Sequence, residues 1–243
     1  MDGYKALLYK YQTDLRGLKK TEDLIAAFAR MQKCYKSGLK GFLPENLSAE
    51  ILDLPCGYGN FLYFLKGEGY VNATGVDIDP RQVELAASIG LNAISGDGLI
   101  FLRDKKEKYD IISSLDFLEH LQKEELFDFL TLCHTALKSG GRLIVRTPCS
   151  DGPFGARDRY NDLTHEQGFT SGSLCNALRV IGFTETVILD ERPRPYNFVN
   201  WFRLAAFKMF TILANGLLRL IGIGAPRIWT TSMWTVATKS QTI

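Results

Sequence analysis

The stretch Ile51-Leu52-Asp53-Leu54-Pro55-Cys56-Gly57-Tyr58-Gly59-Asn60 decides how this chain is read. Ile51 to Leu54 is a short apolar run, read as a buried strand. Gly57 and Gly59 follow at once, and Phe61-Leu62-Tyr63-Phe64-Leu65 then reads as an amphipathic helix. Glycines suit such a turn because they accept positive φ and let a ligand come close to the backbone. The helix N-terminus beyond them offers unpaired N–H groups. Asp77 ends the next apolar stretch, twenty residues after Gly57. That is the spacing at which a second-strand carboxylate meets a ribose in nucleotide-binding βαβ units. A third element, Ser95-Gly96-Asp97-Gly98, sits one strand further on.

The rest of the chain follows the same rhythm. Leu24, Ile25, Phe28, Met31 and Tyr35 give helical spacing over Glu22 to Lys36, so residues 1–48 read as a helical cap and 49–243 as the main domain. Strands are expected at 50–54, 72–77, 92–95, 109–114, 142–147, 183–190 and 232–238. Helices are expected at 59–67, from Pro80 with Asp79 as N-cap, over 121–138, and from a Ser171 cap to Gly182. Ser139-Gly140-Gly141 reads as the turn into the fifth strand. Strands alternating with helices predict an α/β fold, a mainly parallel sheet covered on both faces.

Composition narrows the setting. No segment after Met1 reads as a signal peptide. The five cysteines are odd in number and lack CxxC spacing, which predicts reduced thiols and a cytoplasmic location. The net charge of +2 hides a division: from Arg192 onward there are seven basic residues and no acid, leaving 22 basic against 27 acidic residues before it. An acidic core argues against nucleic acid, whose binding rests on phosphate attraction. The basic tail points to an anionic surface or ligand.

The turn, the spacing of Asp77 and the Asp97 element together resemble class I S-adenosylmethionine (SAM) dependent methyltransferases, whose first motif is D-x-G-x-G-x-G. Here Pro55 stands where the first glycine usually does. The resemblance implies a Rossmann-like sheet of seven strands, the last antiparallel, with SAM as cofactor and S-adenosylhomocysteine as product. It places Asp77 on the ribose hydroxyls, Asp97 and the Gly98 backbone on the adenine, and Ile78 against the adenine face. Gly57 and Gly59 face the methionine part and Asp53 the ammonium; Pro55, Cys56, Gly96 and Leu115 complete the lining. Asp97 reads equally as a plain helix cap, and Cys56 as a packing residue. The N-terminal helices either cover the cofactor or simply pack.

Methyl transfer to a hydroxyl asks for a group that takes the proton. Among three histidines, His134 reads as a packing or surface residue. His165 lies in a long polar loop, and His120 follows the fourth strand, with Asp116 and Glu119 beside it. His165 is the preferred base, while His120 also reads as a packing residue. Pro148 through Gly182, with Arg159-Tyr160-x-Asp162-x-Thr164-His165-Glu166, resembles methyltransferases of bacterial polysaccharide gene clusters. This implies a glycan or lipid-linked saccharide acceptor; a small aromatic, quinone or lipid acceptor, or a SAM-binding scaffold without turnover, are the alternatives. Asp116, Glu119 and His120 also resemble the E-x-x-E-H metal motif of small-RNA 2′-O-methyltransferases, so with His165 they form a candidate divalent-metal set, less favoured than a metal-free site.

Residues 193–228 are apolar and basic, and Phe198 to Ile221 reads as one or two helices. The longest uncharged run, Met209 to Leu218, is too short to span a bilayer, which takes about 20 residues. An interfacial helix on an anionic membrane, a lid, or a homodimer surface are the three readings.

Overall fold

The structure is a computed structural model that describes residues 3, 21–192, 195 and 197–241. The elements run α1 (Thr21–Gly38), β1 (Ile51–Asp53), α2 (Asn60–Gly67), β2 (Ala73–Asp77), α3 (Pro80–Ser88), β3 (Ala93–Ser95) and α4 (Gly98–Leu102). They continue with β4 (Tyr109–Leu115), a 3₁₀ turn at Leu118–His120, α5 (Lys123–Ala136), β5 (Leu137–Pro148), α6 (Gly155–Asn161), α7 (Ser171–Ile181), β6 (Phe183–Asp190), α8 (Phe198–Leu220) and β7 (Ser232–Lys239). The seven strands form one sheet in the order β3-β2-β1-β4-β5-β7-β6. β1 to β5 pair in parallel, and β7 is antiparallel to both β5 and β6. The order turns back between β1 and β4, the place where open α/β sheets open a crevice beyond their strand ends.

Strand residues alternate between the two faces. Leu52, Ile112, Leu143 and Val145 face a core with Phe129 and Leu130 of α5 and Leu174 and Leu178 of α7. Their neighbours Ile51, Ile111 and Ile144 face Phe61, Phe64 and Leu65 of α2, with Tyr35 of α1 and Trp234 of β7. Both layers are apolar because the central strands β1 and β4 and the inner part of β5 are covered on both sides.

Several expectations are refined. Ser139-Gly140-Gly141 is not a turn before β5: the strand already begins at Leu137, and the glycines form an irregularity inside it, with Gly140 at φ 76° and a register shift opposite Tyr109 and Ile111. A β-bulge uses the positive-φ freedom of glycine for this kink. Thr170, not Ser171, caps α7, its hydroxyl accepting from the Ser173 N–H. Phe198 to Leu220 is a single helix. Within the 1–48 cap, α1 is described, whereas 1–2 and 4–20 lie outside the described residues, as do Pro193 and Arg194 of the segment ahead of α8.

α8 departs from the rest of the molecule. Only Asn200 and Leu204 are buried along it, and Trp201, Phe202, Met209, Ile212, Leu213 and Leu217 are all more than half exposed. Among the described residues, no helix is long and apolar enough to cross a membrane.

Candidate active site

A cleft of about 1020 Å³ opens at the carboxyl ends of β1, β2, β4 and β5. That is at the upper end of the roughly 300–1,000 Å³ typical of small-molecule sites, so two reactants fit side by side. Seven carboxylates line it (Asp53, Asp77, Asp79, Asp116, Glu119, Asp158, Asp162) against two guanidiniums, Arg81 and Arg146.

At one end, Asp77 holds the glycine turn. One carboxylate oxygen accepts the Gly57 N–H at 2.8 Å and the other the Asp79 N–H at 2.9 Å. The carboxylate keeps acceptor capacity beyond these bonds, and the residue lines the cleft while only 6% exposed. Gly57 and Gly59 have φ of 52° and 83°. A Cβ on Gly59 would lie 2.5 Å from Leu91, so this glycine serves close packing under the turn and does not line the cleft. Pro55, Cys56, Ile78 and Leu115 do line it; the Leu54–Pro55 peptide is cis. Asp53 is 2% exposed and accepts the Ser113 hydroxyl at 2.7 Å. Burial first, and the nearby Asp77 charge as well, push its carboxyl up to about 7. No ion pair joins Asp53 to a cation among the described residues.

Gly96, Asp97 and Gly98 lie outside the cleft wall. The Asp97 carboxylate accepts the Ile100 N–H at 3.1 Å as N-cap of α4, which is its capping reading. Asn60, not singled out in the sequence, lines the cleft with a buried Oδ1 that has no hydrogen-bond partner among the described residues. Ala27, Phe28 and Tyr35 of α1 close the same end.

These groups fit SAM. A carboxylate with spare lone pairs suits a diol. Asp53 would hold the ammonium, whose charge offsets the cost of ionising a buried acid. An orphaned buried amide oxygen is costly until a ligand donor meets it.

The other end gathers His120, His165, Glu119, Asp116 and Arg146. The two imidazoles meet edge to face, centroids 4.7 Å apart. His165 Nδ1 lies 3.1 Å from the Asp158 carbonyl. A carbonyl only accepts, so Nδ1 carries the proton and Nε2 is the accepting nitrogen. His120 Nδ1 lies 2.9 Å from the Thr164 hydroxyl, which itself donates to Asp162 at 2.6 Å, so His120 is also protonated at Nδ1. Glu119 is 2% exposed and accepts from Thr147 at 3.0 Å. Burial, then the charge of Asp116, push its carboxyl up to about 8.

Ligand atoms of Glu119, His120 and His165 lie within 4.8 Å of one another, a geometry that fits a divalent ion. Asp116 is not part of that group. It sits at φ 52° and pairs with Arg146, whose guanidinium also holds Glu191, with Nη2 to Oε2 at 2.9 Å. Glu191 accepts the Trp234 N–H as well, at 2.7 Å. This network removes Asp116 from the candidate metal set and brings in Arg146, which the sequence reading missed. A charge ending the apolar run Leu143-Ile144-Val145 was the available signal.

Residues 27–187 match the family described as methyltransferase domain. A tRNA U34 carboxymethyltransferase of Vibrio atlanticus is 29% identical, covering 58% of this chain and 46% of that protein. The chain thus spans about half the length of the curated relatives it matches. A SAM-dependent methyltransferase from Archaeoglobus fulgidus superposes with a TM-score of 0.65 at 22% identity, covering 86% of this chain and 94% of that one. The phosphoethanolamine N-methyltransferase 2 of Haemonchus contortus, in complex with SAM, superposes with a TM-score of 0.62 at 15% identity, covering 86% of this chain and 53% of that one. With the sheet order, the glycine turn and the Asp77 anchor in place, the chain belongs to the methyltransferase-domain family and has the fold of the SAM-dependent enzymes.

Proposed function

We propose that this protein transfers the methyl group of SAM to a hydroxyl of a glycan, presented as a lipid-linked saccharide. The observation that carries the reading is the paired imidazoles, His165 and His120, both protonated at Nδ1 and facing the cleft opposite the Asp77 anchor. SAM, when bound, supplies an activated methyl group. The chain supplies alignment and somewhere for the acceptor's proton to go. His165 Nε2 takes that proton, and the Asp158 carbonyl fixes the ring in the tautomer that can do so. His120 packs against His165 and steadies it through the Thr164–Asp162 chain.

The acceptor end supports a polyol. Asp158, Asn161 and Asp162 line it; the two carboxylates accept and the amide both donates and accepts, which suits hydroxyl groups. The same charge opposes a polynucleotide. The curated relatives are named for tRNA, but a cleft of seven carboxylates and two guanidiniums repels a phosphate backbone. α8 supports delivery at an anionic membrane surface: its apolar side chains are exposed, and Arg203, Lys208 and Arg219 are its exposed cations, with no acid among them.

The test is conversion of SAM to S-adenosylhomocysteine with a lipid-linked saccharide extract, with the methylated sugar read by mass. Cofactor binding without turnover on any glycan would leave a SAM-binding scaffold. The full chain should also sediment with anionic liposomes and be released by high salt; a dimer with no liposome binding would give α8 to a second copy.

A further inference from the structure

We infer that a second, smaller cavity beneath α8 holds the apolar chain of the acceptor while its sugar lies in the cleft. The inference rests on the membrane-borne saccharide reading above and gives it a site. The cavity has a volume of about 380 Å³, and Phe154, Phe207, Phe210 and Trp229 form its walls. Phe210 meets Trp229 edge to face at 5.6 Å, and Phe154 lies 6.5 Å from Phe210.

Three observations point to a hydrocarbon ligand joined to a polar head. The first is position: Ser232 lines both this cavity and the cleft, so the two share a wall. The second is polarity. One side carries Glu191, which is tied to Arg146 of the cleft and to Trp234, with Thr230, Thr231 and Ser232, whereas the other four lining residues are aromatic. An amphiphile lying across Ser232 would meet carboxylates at its head and rings along its chain. The third is unspent apolar surface. Phe154 is 52% exposed and Phe210 46%, although both border a hollow that the described side chains leave unfilled. Burying such surface is favourable and roughly proportional to area, so a chain entering here gains what the fold has not used. The cavity also lies against the middle of the helix whose cations and apolar side chains match an anionic bilayer. A chain leaving that bilayer reaches the cavity before its head reaches the cleft.

The experiment uses the full protein saturated with S-adenosylhomocysteine and titrated calorimetrically with butyl, hexyl and octyl glucoside below their micelle concentrations. Affinity should rise with chain length by about fourfold for each methylene that becomes buried. Phe207→Glu and, separately, Phe210→Ser should flatten that rise. Trp201→Ser with Leu217→Ser, on the exposed part of α8, should leave it unchanged. Affinity independent of chain length would overturn the inference. So would a rise retained in both cavity variants, or one lost only in the exposed-face variant. The methyl-transfer reading is scored separately, by SAM affinity and by turnover on a short soluble saccharide, and either result can stand without the other.

Discussion

The two ends of the cleft are built in different ways. The cofactor end comes from two short contiguous segments, Asp53 to Phe61 and Asp77 to Gln82, on adjacent parallel strands, with α1 laid over them. Its central contact, the Gly57 N–H to Asp77, joins residues whose strands already pair. The acceptor end draws on four separated segments: Asp116 to His120, Arg146 to Pro148, Asp158 to His165, and Ser232. Its central contacts, Asp116 to Arg146 and His120 to Thr164, span thirty and forty-four residues. Backbone geometry fixes the first end, and side-chain pairing fixes the second. Binding of the cofactor and processing of the acceptor should therefore fail independently.

The largest expected effect is at the acceptor end. His165→Ala should lower single-turnover rate by about 10²–10⁴ with SAM affinity unchanged, since it removes the proposed proton acceptor and nothing at the other end. Chelation with EDTA should leave turnover intact. Loss of activity on chelation, with recovery on adding a divalent ion, would transfer activation to the Glu119–His120–His165 group instead.

Arg146→Ala comes next. It leaves Asp116 and Glu191 without their shared cation, so stability should fall by about 2–4 kcal/mol, held below the fully buried case because the Asp116 side chain is 49% exposed. Acceptor KM should rise while SAM affinity holds, and denaturant melts with calorimetry check both. A parallel loss of SAM affinity would show that the two ends are coupled.

Asp77→Ala should weaken SAM binding at least tenfold, as losing a charge-assisted acceptor costs roughly 1.5–3 kcal/mol per hydrogen bond. The Gly57 and Asp79 N–H groups lose their acceptor too, so Asp77→Asn, which keeps one oxygen, should fall between the two. Unchanged calorimetric affinity for the alanine variant would remove SAM from this end.

The smallest effect is a pH dependence at Asp53. Its folded carboxyl sits near 7, above the unfolded value, so the unfolded chain releases its proton first. Stability of the unliganded protein should therefore decline as pH rises from about 4 to 7, and flatten above that, by a few kcal/mol at most. Asp53→Asn should lack that contribution. If the ammonium of SAM pairs with the ionised form, binding near pH 6 should release up to about one proton, measurable in buffers of different ionisation enthalpy. Equal proton release in the asparagine variant would take the ammonium away from Asp53.

The same contrast explains what the sequence disclosed. Strand periodicity, the Asp79–Pro80 cap and the glycine turn are local features, and the strands they mark all lie in the sheet within a few residues of the expected bounds. Asp77 was legible because its partner turn lies on the next strand in both sequence and space. Asp116 lines the cleft as expected, but its pairing with Arg146 was hidden, because that partner lies one strand over and nothing in an acid-rich run tells which carboxylate meets a cation. Asp97 caps α4 because the N–H groups of a helix start stand only three residues away. Gly140 and Gly141 looked like a turn, since a bulge and a turn use the same glycine freedom; only pairing with β4 tells them apart.

The antiparallel pairing of β6 and β7 carries a further consequence. Asp190 lies opposite Met233, so the segment bearing α8 leaves the sheet and re-enters it on neighbouring strands. The sheet meets that segment at two anchor points about 4.8 Å apart, whatever lies between them. Lengthening such a closed segment costs only about 0.6 kcal/mol per doubling. The segment is therefore an exchangeable part of the molecule. Evolution or design can exchange it for another insertion while the strand pairing that frames the cleft stays as it is.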